Sequence, residues 1–406
     1  MLKAFEYRIS PNKDQEMFLA KHFGCTRFVY NYFLAKRIEF YTQNKNNSNK
    51  KSLNYFDTST SLTELKKSED YKWLKEINSQ SLQMSLRNLD TAYSNFFRTN
   101  KGFPKFKSKK TNRFSFQLPQ NVKIDSEKSK LIIPKEKQGI KIVLHRALPE
   151  NGVIKTVTIK KNPTGKYFAV VLIETPDEFP DKPDVKSNSV LGIDLGIKDF
   201  AITSDGEKFD NPKYLKNDLT RLKVLQKRHS RKKIGGQNRD KARIKVALQH
   251  EKIKNQRKDF LHKLSYKIVC ENKTYNSIAI EDLAVKNMIK NHKLARAISD
   301  VSWSEFRQQL QYKCDWYGKN LLVIGRFTPS TKVCSTCGQI KEGLTLKDRT
   351  WICDCGTEHD RDINAAKNIA NFGIIKYSGQ GLPGEPVESS TIVGAMKQEA
   401  LSFMAG

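Results

Sequence analysis

The residues of this chain that can do chemistry fall into two sets. The first is three acids in marked contexts: Asp194 ends a strand-like segment in GIDLG, Glu281 ends NSIAIED, and Asp362 opens the alanine-rich DINAAKNIA. Carboxylates at the ends of adjacent strands and at a facing helix start can converge on hard cations, and two Mg2+ ions about 3.5–4 Å apart clamp the attacking and leaving oxygens of a phosphodiester. Singly, Asp362 reads as a helix N-cap or first-turn acid and Glu281 as a surface acid. Their strand, strand, helix order favours one shared magnesium site, with the glycines of GIDLG letting metal and backbone approach closely. The second set is four cysteines. Cys334 and Cys337 form C-x2-C before Gly338, and Cys353 and Cys355 form C-x-C before Gly356, with fifteen residues between the pairs. That spacing is the one expected of a structural Zn2+ ribbon with four thiolates, which leaves no open coordination position for catalysis. The second pair is one residue shorter than usual, and His359 is an outside candidate for the fourth ligand. Cys25, Cys270 and Cys314 lie in apolar helical contexts and read as core residues.

These groups need elements to hold them. Residues 2–10 have strand character, and Pro11 with the following Asn-Lys-Asp-Gln marks a helix start. Apolar residues at helical spacing then predict helices over 12–42 and 79–98. Between residues 113 and 174 the period becomes that of strands, in FSFQL, KLIIP, IKIVL, VIKTVTI and YFAVVLI, predicting a small β-barrel or sheet. A stretch rich in Pro and Asp, 177–189, reads as a linker. The chain beyond it is α/β: strands at 190–194, 200–203, 276–280 and 321–325, and helices at 211–229, 238–270, 303–316 and 362–371. No sustained period continues past residue 376, so a tail is expected there.

Charge narrows the function further. The 406 residues hold 73 Lys+Arg against 43 Asp+Glu, a formal net charge of +30. Such an excess opposes compaction unless a polyanion neutralises it, and nucleic acid is the simplest one. Disorder is excluded for most of the chain by 38% hydrophobic and 10% aromatic residues. No stretch approaches the ~20 apolar residues of a membrane span, and MLKAFEYRIS lacks the apolar region of a secretory signal peptide. Clustered cysteines suit a reduced compartment and a metal better than disulfides. In GFPKFKSKK, Lys105, Lys107 and Lys109 alternate with Phe103 and Phe106, so rings that stack on bases stand among ammonium groups that meet phosphates. Between residues 221 and 263 sixteen Lys/Arg face three Asp/Glu. Leu215, Leu219, Leu222 and Leu225 mark an apolar stripe in front of that run. A basic helical hairpin lining a phosphate channel is expected, with Lys232, Lys233, Arg239 and Arg243 meeting the phosphates.

In order along the chain, YRISPNKDQ, GFPKFKSKK, GIDLGIKDFAITSDG, IEDLAVKNM, CSTCG and CGTEHDRDINAAKNI resemble the TnpB proteins of bacterial insertion sequences, over residues 2–372. The resemblance implies a multidomain α+β protein. Its parts are a wedge β-barrel (1–10 and 113–176), an inserted helical recognition lobe (11–112), a linker (177–189), a RuvC-like nuclease domain of RNase H fold (190–327 and 358–375), a zinc-ribbon insertion (328–357) and a flexible tail (376–406). It implies an RNA-guided DNA endonuclease related to type V CRISPR effectors. A guide RNA from the transposon end pairs with one strand of a target duplex beside a transposon-associated motif. Asp194, Glu281 and Asp362 would be the magnesium-binding catalytic triad, with Asp360 as the alternative third acid. Asp362 is preferred because its D-x-N-A-A context opens the helix. Cys334, Cys337, Cys353 and Cys355 would hold zinc, and Tyr55, Gln80 and Gln83 would read the duplex motif. A monomer in the bacterial cytoplasm, associated with the nucleoid when on DNA and with no membrane partner, is implied. In such a protein base pairing reads sequence while side chains grip backbone, which gives the +30 its use. The competing readings are a nuclease-silent RNA-guided regulator, an accessory transposase, and a plain zinc-ribbon nucleic-acid binder.

Overall fold

The computed structural model describes residues 1–46, 52–99, 101–111, 114–326, 328–345 and 348–379. Most of the expected tail, residues 380–406, lies outside them. The chain divides into two compact units: Met1–Glu178 together with Lys232–Leu248, and Phe179–Arg231 together with the chain from Gln249 on.

In the first unit, strand β1 (Leu2–Ser10) leads through Pro11 into helix α1 (Lys13–Asn44). The helix starts where the sequence predicts because Asn12 and Gln15 form a reciprocal capping box, each side chain bonding the other's backbone N–H. The helix runs 32 residues and serves two cores. Leu19 and Phe23 pack with the strands, while Val29, Phe33 and Leu34 pack with α2 (Tyr55–Leu65) and α3 (Ser79–Thr99). Six further strands follow: β2 (Phe114–Leu118), β3 (Lys123–Asp125), β4 (Lys130–Ile133), β5 (Glu136–Val143), β6 (Val153–Lys161) and β7 (Tyr167–Glu174). With β1 they make one antiparallel sheet in the order β2-β6-β7-β1-β5-β4-β3. The first strand thus lies in the middle, between strands more than a hundred residues later, and the helices are an insertion in the sheet. The expected barrel is corrected here: β2 and β3 are the two edges and do not pair among the described residues, so the sheet stays open.

In the second unit β8 (Val190–Leu195), β9 (Asp199–Thr203) and β10 (Lys208–Asp210) form an antiparallel meander. Helix α4 (Tyr214–Ser230) and helix α5 (Gln237–Tyr266), whose residues up to Leu248 belong to the first unit, precede β11 (Ser277–Glu281). Short helices α6 (Val285–Met288) and α7 (Ala295–Val301), helix α8 (Trp303–Trp316) and strand β12 (Asn320–Ile324) come next. The sheet order is β10-β9-β8-β11-β12, with β11 parallel to both β8 and β12. A small hairpin, β13 (Thr350–Ile352) and β14 (Glu358–Asp360), precedes the last helix, α9 (Arg361–Tyr377). The helix continues six residues beyond the predicted end at 371.

Each face of this sheet is buried against helices. Leu191, Ile193, Ile278 and Ile280 point into a core with α5 and α8, while Val190, Ala279 and Leu322 point into a second core under α9. Gly192 shares the α9 face, and a Cβ there would meet the carbonyl oxygen of Ala366 at 1.9 Å. The first glycine of GIDLG therefore serves close approach of helix to strand, not the approach of a ligand.

Candidate active site and thiolate cluster

The alternation of a strand decides where the acids go. Positions 190, 192 and 194 of β8 share the α9 face, and so do 277, 279 and 281 of β11. The two strands are paired in parallel with Ile193 opposite Ile280, so Asp194 and Glu281 follow one step further on neighbouring strands. Asp362 sits in the first turn of α9, the helix covering that same face. The structure thus brings all three predicted acids to one end of one face.

Electrostatics reflect the crowding. The carboxyl of Asp194 is enclosed although the residue as a whole is half-buried, and its pKa is pushed up to about 7. Loss of hydration is the main cause, the charges of Glu281 and Asp362 add to it, and Arg361 opposes it. Burial also raises Glu281, against a hydrogen bond from the Ser330 hydroxyl to its Oε1 at 2.6 Å. Asp362 pairs with the exposed guanidinium of Arg349 at 3.3 Å, a solvent-facing pair worth at most ~1 kcal/mol. Asp360 is differently placed. Its Oδ1 accepts the amides of Asp362 and Ile363, capping α9, and its Oδ2 pairs with Lys208 at 2.8 Å. Burial pushes that carboxyl up, but Lys208 and the two amides outweigh it and hold the pKa below the usual range. A set of desolvated, mutually repelling carboxylates suits a hard cation.

Among the described residues the four cysteines are the one group of three or more Cys, His, Asp or Glu whose ligand atoms all lie within 4.8 Å of one another. The three carboxylates are not gathered that closely. Two similar turns present the sulfurs. Gly338 N–H bonds the carbonyl of Cys334, Gly356 N–H bonds that of Cys353, and both glycines have φ near +80°, which other residues resist. The short C-x-C spacing therefore still delivers its thiols. His359 lies behind the cluster, with Nε2 3.0 Å from the Cys334 sulfur and its ring 4.6 Å from that of Trp351. The module has little apolar core of its own: Cys334, Trp351 and Cys353, with Leu344 beside them. It is stapled to α9 instead. Asn364 takes the amide of Ser335 and donates to the carbonyl of Val333, and Asn368 donates to the carbonyls of Ser330 and Val333. Ser330, the partner of Glu281, is thereby held by the helix that carries Asp362. Asn364 and Asn368 stand inside the DINAAKNIA motif without a role being read for them, and nothing in the sequence marked Ser330.

The residues expected to meet nucleic acid are more scattered. In the first unit Tyr55 opens α2 under the guanidinium of Arg87, 4.6 Å from its ring, a partner that sequence reasoning missed. Gln80 bonds Gln120 at 2.9 Å, and Gln83 is exposed one turn further along α3. Lys105 and Lys109 are exposed. Lys107 counts as exposed by area, yet its ammonium lies 3.9 Å over the Tyr30 ring and burial lowers its pKa. Its backbone is clamped by the Asn31 amide from both sides. In the basic hairpin Lys232 and Lys233 are exposed. Arg239 donates to the Lys232 carbonyl, and Arg243 donates to that of Pro163. No helix among the described residues is long and apolar enough to cross a membrane.

The candidate site is thus a mixed five-stranded sheet with three acids at one end and a four-thiolate module before its last helix, in a chain of net charge +30. Three family models match: OrfB_IS605, described as "Probable transposase", over residues 169–292; the Cas12f1-like TNB domain over 303–369; and a helix-turn-helix domain over 1–46, where this structure has one strand and one long helix. A protein of Streptomyces pristinaespiralis named "Putative RNA-guided DNA endonuclease" is 41% identical over 405 residues, covering 100% of this chain and 98% of that protein. The Escherichia coli K12 protein named "Putative RNA-guided DNA endonuclease InsQ" is 32% identical over 412 residues, covering 95% and 98%. A cryo-EM structure of a Cas12f1-sgRNA-target DNA complex shares the fold, with a TM-score of 0.54 at 13% identity over 91% of this chain and 99% of that one. The chain belongs to the TnpB family of insertion-sequence proteins.

Proposed function

We propose that this protein is an RNA-guided DNA endonuclease that cuts double-stranded DNA beside a transposon-associated motif. The observation that carries the reading is the desolvated Asp194, with the charges of Glu281 and Asp362 bearing on it from an adjacent strand and a covering helix. The second unit is then the RuvC-like nuclease domain, with residues 328–357 as its zinc-bearing insertion. The sheet and helices of the first unit form the wedge and recognition lobe that grip RNA and duplex.

Asp194, Glu281 and Asp362 would hold magnesium, which when bound supplies charge neutralisation for phosphodiester hydrolysis. Ser330 orients Glu281 by donating to Oε1, and the α9 face keeps Asp194 enclosed. Asp360 caps the helix and fixes where Asp362 begins, leaving Asp362 as the third acid. Cys334, Cys337, Cys353 and Cys355 would hold structural zinc, with His359 hydrogen-bonding a thiolate from outside the ligand set. Guide RNA and target DNA are the partners that the excess of basic side chains would neutralise. Sequencing RNA extracted from the purified protein tests the reading. One defined RNA species is expected; heterogeneous RNA or none would count against it.

A further inference from the structure

Beside Glu281 a cleft of about 310 Å3 opens within the second unit, at the lower end of the ~300–1,000 Å3 typical of small-ligand sites. Its walls are the side chains of Leu195, Leu283, Val285 and Trp303, and its rim is the first two turns of α8, where Ser304, Arg307 and Gln308 lie on one side of the helix. Trp303 is 4% exposed and its indole nitrogen is itself buried without an acceptor among the described residues, so the residue backs the wall while its N–H is closed to a ligand. Gln308 is exposed on the rim. Arg307, in contrast, is fixed by an ion pair to Asp282, the residue after Glu281, which Arg326 also approaches at 3.5 Å.

We infer that this cleft receives one unstacked base of the strand being cut, so that the position of cleavage depends on local sequence as well as on the guide. The inference rests on the nuclease reading above. Apolar walls suit the flat face of any base. The exposed amide of Gln308 suits the polar edge of the base. The held guanidinium of Arg307 suits the phosphate that the same nucleotide presents toward Glu281. A volume of about 310 Å3 has room for one base, and the occupant proposed is an unpaired nucleotide.

The test uses the complex with its copurified RNA and target duplexes identical except for an abasic residue, placed at each nucleotide bordering the mapped cut in turn. At one of these positions the abasic target should be bound as tightly as the intact one but cut about 10-fold more slowly, or at a shifted position, the scale of losing the burial of one flat ring. Gln308→Ala, a rim substitution that leaves the core untouched, should shrink that difference. Equal rates and positions on intact and abasic targets would overturn the inference, as would a Gln308→Ala complex that discriminates as the parent does. A parent complex that binds its target but cuts none of these duplexes would instead overturn the nuclease reading, and the inference with it.

Discussion

Lys208 holds Asp360: its ammonium lies 2.8 Å from Oδ2, while Oδ1 of the same carboxylate caps α9 through the amides of Asp362 and Ile363. Both oxygens are engaged, whereas Asp362, two residues on, has one solvent-exposed arginine as its partner. Asp362→Ala should therefore lower single-turnover cleavage by at least ~100-fold, the scale of removing one group that stabilises transition-state charge. Asp360→Ala should cost about 1 kcal/mol of stability through removal of the cap and leave much of the cleavage. Cleavage surviving in Asp362→Ala but not in Asp360→Ala would reverse the assignment.

How far the site could be read in the sequence follows from what placed it. Strand alternation put Asp194 and Glu281 on one face, and the D-x-N-A-A context put Asp362 at a helix start; both are local patterns. That the face is the one under α9 depends on the pairing of Ile193 with Ile280 and on Gly192 meeting Ala366. Those are meetings of segments far apart in sequence, and they turned a glycine expected to admit a ligand into one that admits a helix. The open sheet was misread for a related reason: five alternating segments have the same local pattern whether or not β2 and β3 meet. Arg243 reads as a phosphate ligand from charge alone, and its bond to the Pro163 carbonyl, eighty residues away, could not be read from the sequence.

The staple from the cysteine module to α9 predicts how metal loss is felt. Changing Cys334 and Cys337 together to Ser should release zinc, because the small cluster around Trp351 cannot fold the module unaided. Val333 and Ser330 would lose their fixed positions on Asn364 and Asn368, so cleavage should fall while guide-RNA affinity is retained. Elemental analysis beside a cleavage and a filter-binding assay checks this. A parent protein without zinc that cuts normally would contradict it.

The basic hairpin predicts a split between its residues. Lys232→Gln with Lys233→Gln should weaken binding to any nucleic acid sequence and flatten the salt dependence by roughly 0.7–0.9 for each phosphate left without its cation. Arg243→Gln should change the slope less, since its guanidinium is bonded to Pro163 and Asp240 within the protein. Affinities across a salt series, variant against parent, make the comparison. Equal slopes for all proteins would mean that the hairpin only faces solvent.

His22 gives a pH prediction for the first unit. The ring is fully buried between Phe18 and Phe116, its Nε2 accepts the Asn78 amide, and burial lowers its pKa to about 4. A folded pKa below the unfolded value of 6.5 means that the neutral ring's contribution is complete above pH 6.5 and is lost as pH falls toward 4. The full difference is roughly 3 kcal/mol. The protection factors of the α1 amides, which are exchange rates corrected for the intrinsic slowing at low pH, should fall in the parent over that window and much less in His22→Gln. An equal fall in both would place the sensitive group elsewhere.

The central claim is that this protein cuts DNA where an RNA directs it. The most direct measurement replaces the target-pairing segment of the copurified RNA, reconstitutes the complex with magnesium, and maps cuts on a plasmid carrying both the old and the new target beside the same motif. Cleavage should move to the new target and vanish in Asp194→Ala while binding persists. Cuts that stay at the old site, or that Asp194→Ala still makes, would contradict the account.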